Sequence, residues 1–157
     1  MDKLLMYLSK TYRYEDSYLN KQLKKYNLSS GSFSYLLALN KNEGMSQIQI
    51  SKDIGNDRAM SARTINKLIA DGFVYKIQDE KDCRAYKLYL TDKGREIIPS
   101  IEKEIQEIIN FLTEDLSEDE KRTTIDCLKN IFEKSKRLRI GECVLWLKTT
   151  LKNGRYL

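Results

Sequence analysis

Arginine and lysine spaced along one face of a helix, with another arginine on a short charged loop, are side chains that reach phosphates and base edges. The first set lies in 58-RAMSARTINKLIAD-71. At 100° per residue Ala62, Ile65, Leu68 and Ile69 fall on one side of this segment, and Met60, Arg63 and Lys67 fall on the other. Arg58 near the helix start, Arg63 and Lys67 suit base-edge and phosphate contacts, while Met60 offers the apolar contact that a thymine methyl takes. An ordinary solvated helix face has the same composition, so the neighbouring segments decide. The second set lies in 79-DEKDCRA-85, where Arg84 suits a narrow A·T-rich minor groove with its concentrated negative potential. Asp82 repels phosphate; its useful role is to pair with an arginine and hold the loop's shape. A solvated hairpin with an incidental charge pair is the alternative.

The elements that must position these residues are legible from period and punctuation. Residues 3 to 26 read as a helix in which Leu4, Leu8, Tyr12, Leu19 and Leu23 recur at helical spacing. Ser29 is the expected N-cap of 30-SGSFSYLLALNK-41, and 46-SQIQ-49 is a Ser-x-x-Gln capping box opening a short helix stopped by Gly55. Asn56 or Asp57 then caps 58–71, which ends at Gly72. Helix, tight turn, helix is the helix-turn-helix pattern, whose second helix can lie in a major groove.

The period then changes from 3.6 to 2. Phe73, Tyr75 and Ile77 alternate with Val74, Lys76 and Gln78, and Tyr86, Leu88 and Leu90 alternate with Lys87 and Tyr89. Two strands around a charged loop, placed directly after a helix-turn-helix, are a wing. Thr91 is the expected cap of a helix carrying Ile97, Ile101, Ile105, Ile108 and Leu112 as a continuous stripe to about Asp115, kinked at Pro99. A Ser-x-x-Glu box, 117-SEDE-120, opens a further helix with Ile125, Leu128, Ile131 and Phe132, reaching about Arg139. In the tail 140–157, Ile140, Val144, Leu147 and Leu151 suit one more short amphipathic helix.

Composition limits the other chemistries. The chain has 157 residues, 32% of them charged, one proline and seven glycines, which suits one helix-rich domain with appended helices. It has no histidine, no P-loop, no G-x-G-x-x-G and no G-x-S-x-G, so enzyme activity is not expected, nor a cofactor. Cys83, Cys127 and Cys143 are odd in number and lack C-x-x-C spacing, which suggests neither a disulfide framework nor a metal site. Cys83, near Lys81 and Arg84, is the candidate redox thiol, whereas Cys127 reads as a small packed hydrophobe. The net charge of +5 weakly favours an acidic partner such as nucleic acid. No run approaches the roughly 18 apolar residues of a membrane span and the N-terminus lacks a signal-peptide core, so the expectation is a cytoplasmic protein without membrane contact. The tyrosines crowding the first two helices, among them Tyr12, Tyr18 and Tyr35, either line a ligand pocket or serve in core and interface packing.

The order of elements, together with 28-LSSGSFSYL-36, 45-MSQIQISKDIG-55, 63-RTINKLIADGFV-74 and 82-DCRAYKLYLTDKG-94, resembles the MarR family of winged-helix transcriptional regulators. The last segment matches the family's D-x-R wing followed by L-T-x-x-G, here Leu90, Thr91 and Gly94, and Pro99 falls where such proteins often carry a proline. The resemblance covers about residues 5 to 139. It implies a mainly α fold with a small β-hairpin wing, a winged helix-turn-helix flanked by N- and C-terminal dimerisation helices. The corresponding divisions are 1–28 for the N-terminal dimerisation helix, 29–90 for the DNA-binding region, 91–139 for the C-terminal dimerisation helices, and 140–157 for an extra tail.

The resemblance further implies a homodimer that places two recognition helices on a pseudo-palindromic operator in double-stranded DNA. Repression is the common outcome, often relieved by a small phenolic or anionic effector. Carried over by position, Arg58, Ala59, Met60 and Arg63 read or flank bases, Arg84 is the minor-groove arginine, and Asp82 braces the wing. Two departures stand out: Cys83 replaces a frequent second arginine, and Ala62 replaces a common threonine, removing a phosphate hydrogen bond. With no cysteine before Cys83, the peroxide-sensing subtype is disfavoured. An architectural winged-helix protein binding DNA without strong sequence preference, and a protein-interaction module on the same fold, are the alternative readings.

Overall fold

The computed structural model describes residues 3–80 and 82–138, and all statements of structure refer to these. Helix α1 spans Lys3–Leu23 and tightens into a 3-10 turn, Lys24–Tyr26, ended by Asn27 at φ 60°. Helix α2 spans Ser30–Lys41; its N-cap Ser29 and Ser32 bond reciprocally across the first turn. Strand β1 (Met45–Ser46) leads into α3 (Gln47–Ile54), where Ser46 Oγ accepts from the Gln49 N–H and Gln49 Oε1 accepts from the Ser46 N–H. Gly55, at φ +81°, stops α3, and α4 follows as Arg58–Ala70, capped by Asp57. Strands β2 (Val74–Gln78) and β3 (Tyr86–Leu90) form the hairpin; then come α5 (Asp92–Glu96), α6 (Ile98–Leu112) and α7 (Glu118–Leu138).

The sheet has three strands in the order β1-β3-β2, all antiparallel, with Met45 opposite Leu88 and Val74 opposite Leu90. Sequence reasoning gave only the hairpin. Two residues of β1 have no period of their own; they become a strand because β3 offers them an unpaired edge. A second correction concerns Pro99. No single kinked helix runs through it: α5 ends at Glu96, Ile97 turns, and Pro99 is the second residue of α6, where its missing N–H breaks no helical bond.

Two compact units meet between Asn110 and Phe111. In the first, one core joins Leu19 and Leu23 of α1, Tyr35, Leu36 and Leu39 of α2, Ile50 of α3, and Ile65 and Leu68 of α4. Phe73, Val74, Leu88 and Leu90 of the wing base complete it with Ile98 and Ile101 of α6. Each such side chain contributes about 1.5–3 kcal/mol by leaving water. Only the hairpin's base is anchored, because Tyr75 and Ile77 are exposed whereas Val74, Leu88 and Leu90 are buried. Gly94 fits the junction of β3 and α5 for a steric reason: a Cβ there would stand 2.2 Å from the Phe73 carbonyl oxygen. Thr91 closes the same junction, its hydroxyl donating to the Gly72 carbonyl (2.7 Å) and accepting from the Gly94 N–H (3.0 Å).

In the second unit α7 starts at the expected box, with Glu120 accepting from the hydroxyl and backbone N–H of Ser117. Those bonds, the hydroxyl's first, hold the Glu120 carboxyl below its ordinary value. Ile125, Leu128 and Phe132 form an exposed apolar row. Cys127 is exposed, not packed as the sequence suggested, because α7 presents nearly every side chain to solvent. The expected tail helix and Cys143 lie outside the described residues.

Candidate nucleic-acid interface

The α4 helix buries Ser61, Ile65 and Leu68 and turns Arg58, Ala59, Met60, Arg63 and Lys67 outward. Its start is fixed by Asp57, whose Oδ1 accepts from the Met60 N–H at 2.8 Å, an arrangement typically worth about 1 kcal/mol. The side chains of Arg58, Arg63 and Lys67 form no ion pair with the described residues, so their charge is available to an external anion. Met60 is 44% exposed among them, an apolar surface on a cationic face.

The wing tip is organised by hydrogen bonds within itself. Asp82 Oδ1 accepts from the Arg84 N–H at 2.9 Å, and the Asp82 carbonyl accepts from the Ala85 N–H. Gln78 Nε2 donates to the Cys83 carbonyl, and the Asp79 N–H donates to the Ala85 carbonyl. The aspartate therefore shapes the loop through the backbone of Arg84, not through an arginine side chain as the sequence reading held. Arg84 and Cys83 are both exposed. On the outer sheet face Tyr75 and Tyr89 stack at 5.5 Å, stiffening the hairpin where the core no longer supports it.

A buried polar brace fixes α4 to the scaffold. Tyr35, 0% exposed, donates its hydroxyl to Ser61 Oγ at 3.1 Å and accepts from Asn56 Nδ2 at 2.9 Å. Ser51 Oγ donates to the Asn56 carbonyl at 2.8 Å, so α2, α3, the bend and α4 share one network. Sequence reasoning missed Ser61; its spacing to Ile65 and Leu68 marks the buried face, but its polarity concealed it. A separate tie joins the end of α1 to α6: Lys25 Nζ meets the buried Glu104 carboxylate at 2.5 Å, and this bond raises the Lys25 pKa against desolvation.

The tyrosines divide. Tyr35 is fully buried in the core, with its hydroxyl bonded to Ser61 and Asn56. Tyr12 borders a cleft between α1, the start of α2 and the helix-turn-helix bend; Tyr18 is exposed and is not among its lining residues. Among the described residues, no cluster of three or more His, Cys, Asp or Glu could hold a metal, and no helix is long and apolar enough to cross a membrane.

A two-helix bend whose second helix carries exposed cations, followed by a hairpin with a shaped, arginine-bearing tip, defines a winged helix-turn-helix. The MarR family profile matches residues 28–86. The chain is 37% identical over 103 residues to the HTH-type transcriptional regulator BilQ of Clostridioides difficile (strain CD3), covering 66% of this chain and 70% of that one. A MarR transcriptional regulator from Methanosarcina mazei Go1 superposes with a TM-score of 0.82 at 30% identity, over 88% of this chain and 99% of that structure. A MarR variant from E. coli, solved in complex with operator DNA, shares the fold with a TM-score of 0.75 at 22% identity, over 82% of this chain and 92% of that one. The chain belongs to the MarR family of winged-helix transcriptional regulators.

Proposed function

We propose that the protein is a cytoplasmic, homodimeric repressor that binds a pseudo-palindromic operator and is modulated by a small ligand. The observation that carries this reading is the set of exposed cations on α4, which form no ion pair with the described residues and are braced from behind by Tyr35 and Ser61. Arg63, Met60, Ala59 and Arg58 meet or flank base edges in a major groove, Lys67 meets phosphate, and Arg84 enters the adjacent minor groove. That the E. coli protein of the same fold was solved in complex with operator DNA supports DNA as the partner.

Dimerisation falls to residues 1–28 and 91–139, leaving 29–90 for DNA. Its support is the exposed apolar surface of Leu4, Leu5 and Met6 on α1 and of Ile125, Leu128 and Phe132 on α7, more than scattered surface residues account for. Two copies then present two α4 helices with half-sites about one helical turn, roughly 34–36 Å, apart. Changing that spacing releases the DNA, and a ligand drives the change only by binding the two shapes unequally. The test is selection of bound sequences from a random duplex pool. A pseudo-palindrome with half-sites one turn apart is the expected product; a pool without a shared motif would reject the reading.

A further inference from the structure

Asn66 lies on the outward side of α4, among the residues assigned to bases. At 100° per residue it falls about 60° round the helix from Arg63, on the opposite flank to Met60 and Lys67. We propose that Asn66 is a specificity-determining residue that reads an adenine in the major groove, at the base pair next to the one met by Arg63. The proposal deepens the reading of the chain as a sequence-specific DNA-binding regulator and rests on it.

Three observations point to a base. The amide is available: among the described residues the Asn66 side chain has no hydrogen-bond partner, whereas the Thr64 hydroxyl, also on α4, donates back to the Met60 carbonyl at 3.1 Å. Its surroundings are low. Along the row Ala62, Asn66, Ala70, spaced one turn apart, only the asparagine extends past Cβ, so α4 can approach base edges closely there. The helix itself gains nothing from this residue. Asparagine is a poorer helix former than alanine, and in the interior of the 13-residue α4 it neither caps an end nor bonds back to the preceding turn.

The chemistry selects adenine. An asparagine amide carries one acceptor oxygen and one donor nitrogen, which match the N6 amino donor and N7 acceptor on adenine's major-groove edge. Guanine presents two acceptors there, which suit the Arg63 guanidinium and would leave the Asn66 carbonyl facing an acceptor. Spacing then relates the two contacts. Arg63 and Asn66 are three residues apart, about 4.5 Å along the helix axis against about 3.4 Å for a base step, and zinc-finger helices use the same spacing to take successive bases. A G·C pair met by Arg63 beside an A·T pair met by Asn66 is therefore expected once in each half-site.

The test compares the sequences selected from a random duplex pool by the parent chain, Asn66→Ala and Arg63→Ala at one salt concentration. Asn66→Ala should unfold in urea at a midpoint no lower than the parent's, since alanine is favoured in an exposed helix interior; a lower midpoint would make Asn66 a structural residue. The parent should lose roughly fivefold to hundredfold in affinity when the expected A·T pair is changed. Asn66→Ala should not discriminate at that pair, yet should keep the preference at the neighbouring pair that Arg63→Ala removes. Replacing the adenine by 7-deazaadenine, which lacks the N7 acceptor, should weaken the parent and leave Asn66→Ala unaffected. Equal loss for Asn66→Ala on every sequence would make Asn66 a phosphate contact, and a lost preference away from the Arg63 position would break the pairing; either result overturns the proposal. A parent pool without a motif would reject the regulator reading and this role together, whereas a parent motif that survives intact in Asn66→Ala rejects this role alone.

Discussion

Tyr35→Phe isolates the brace behind α4. The ring stays and only the hydroxyl goes, so no cavity of consequence opens and the apolar contacts of a fully buried side chain persist. Two hydrogen bonds are lost, from Asn56 Nδ2 (2.9 Å) and to Ser61 Oγ (3.1 Å), and Ser61, itself 0% exposed, is left without this partner. A buried polar group stranded in this way costs about 1–3 kcal/mol, so the variant should lose about 2 kcal/mol. Urea unfolding at fixed protein concentration reads this as a lower midpoint with an unchanged slope. Adding Ser61→Ala removes the stranded hydroxyl, and the double variant should be more stable than the sum of the single effects implies, by about 0.5–1.5 kcal/mol. Strict additivity, or a Tyr35→Phe protein within about 0.5 kcal/mol of the parent, would refute the brace.

Gly94→Ala should destabilise the fold by about 1–3 kcal/mol in the same assay, although alanine is the better helix former by about 1 kcal/mol, because the Cβ would meet the Phe73 carbonyl oxygen at 2.2 Å. A stabilised variant would show that this backbone contact yields freely. The Ser117 hydroxyl and backbone N–H hold the Glu120 carboxyl below the ordinary glutamate value, so its contribution to α7 is present above that ordinary value and is lost as pH falls through the lower folded pKa; circular dichroism against pH should show this loss, which Glu120→Gln abolishes. Arg63→Ala should relax base preference within the operator, and Arg84→Ala should weaken binding mainly at A·T-rich flanks. Binding titrations over sequence variants check both, and equal losses on every sequence would contradict the division of labour.

Local signals reached far into this fold. The boxes at Ser46 to Gln49 and Ser117 to Glu120, the stop at Gly55 and the Thr91 cap each involve bonds between residues a few positions apart, so their spacing is visible in one dimension. Exposure of Met60, Arg63 and Lys67 follows equally from the helical period. What stayed hidden depends on partners distant in sequence. β1 exists through β3, more than 40 residues away, and Tyr35 is buried because Ser61 lies 26 residues on. Asp82 shows the limit from the other side: sequence placed it on the wing, but only the folded loop shows that its partner is a backbone N–H. Pro99 was visible, yet whether it kinks a helix or opens a new one depends on the turn at Ile97.

The central claim is that α4 reads bases. Its most direct test is the ratio of Kd values for the selected operator and a scrambled duplex of equal length at one fixed salt concentration. Specific binders gain roughly 10³ to 10⁷ over random DNA, and a ratio in that range is the result expected here. A ratio near one, with both affinities falling steeply as salt rises, would place the binding in phosphate contacts alone and contradict the account in favour of an architectural protein.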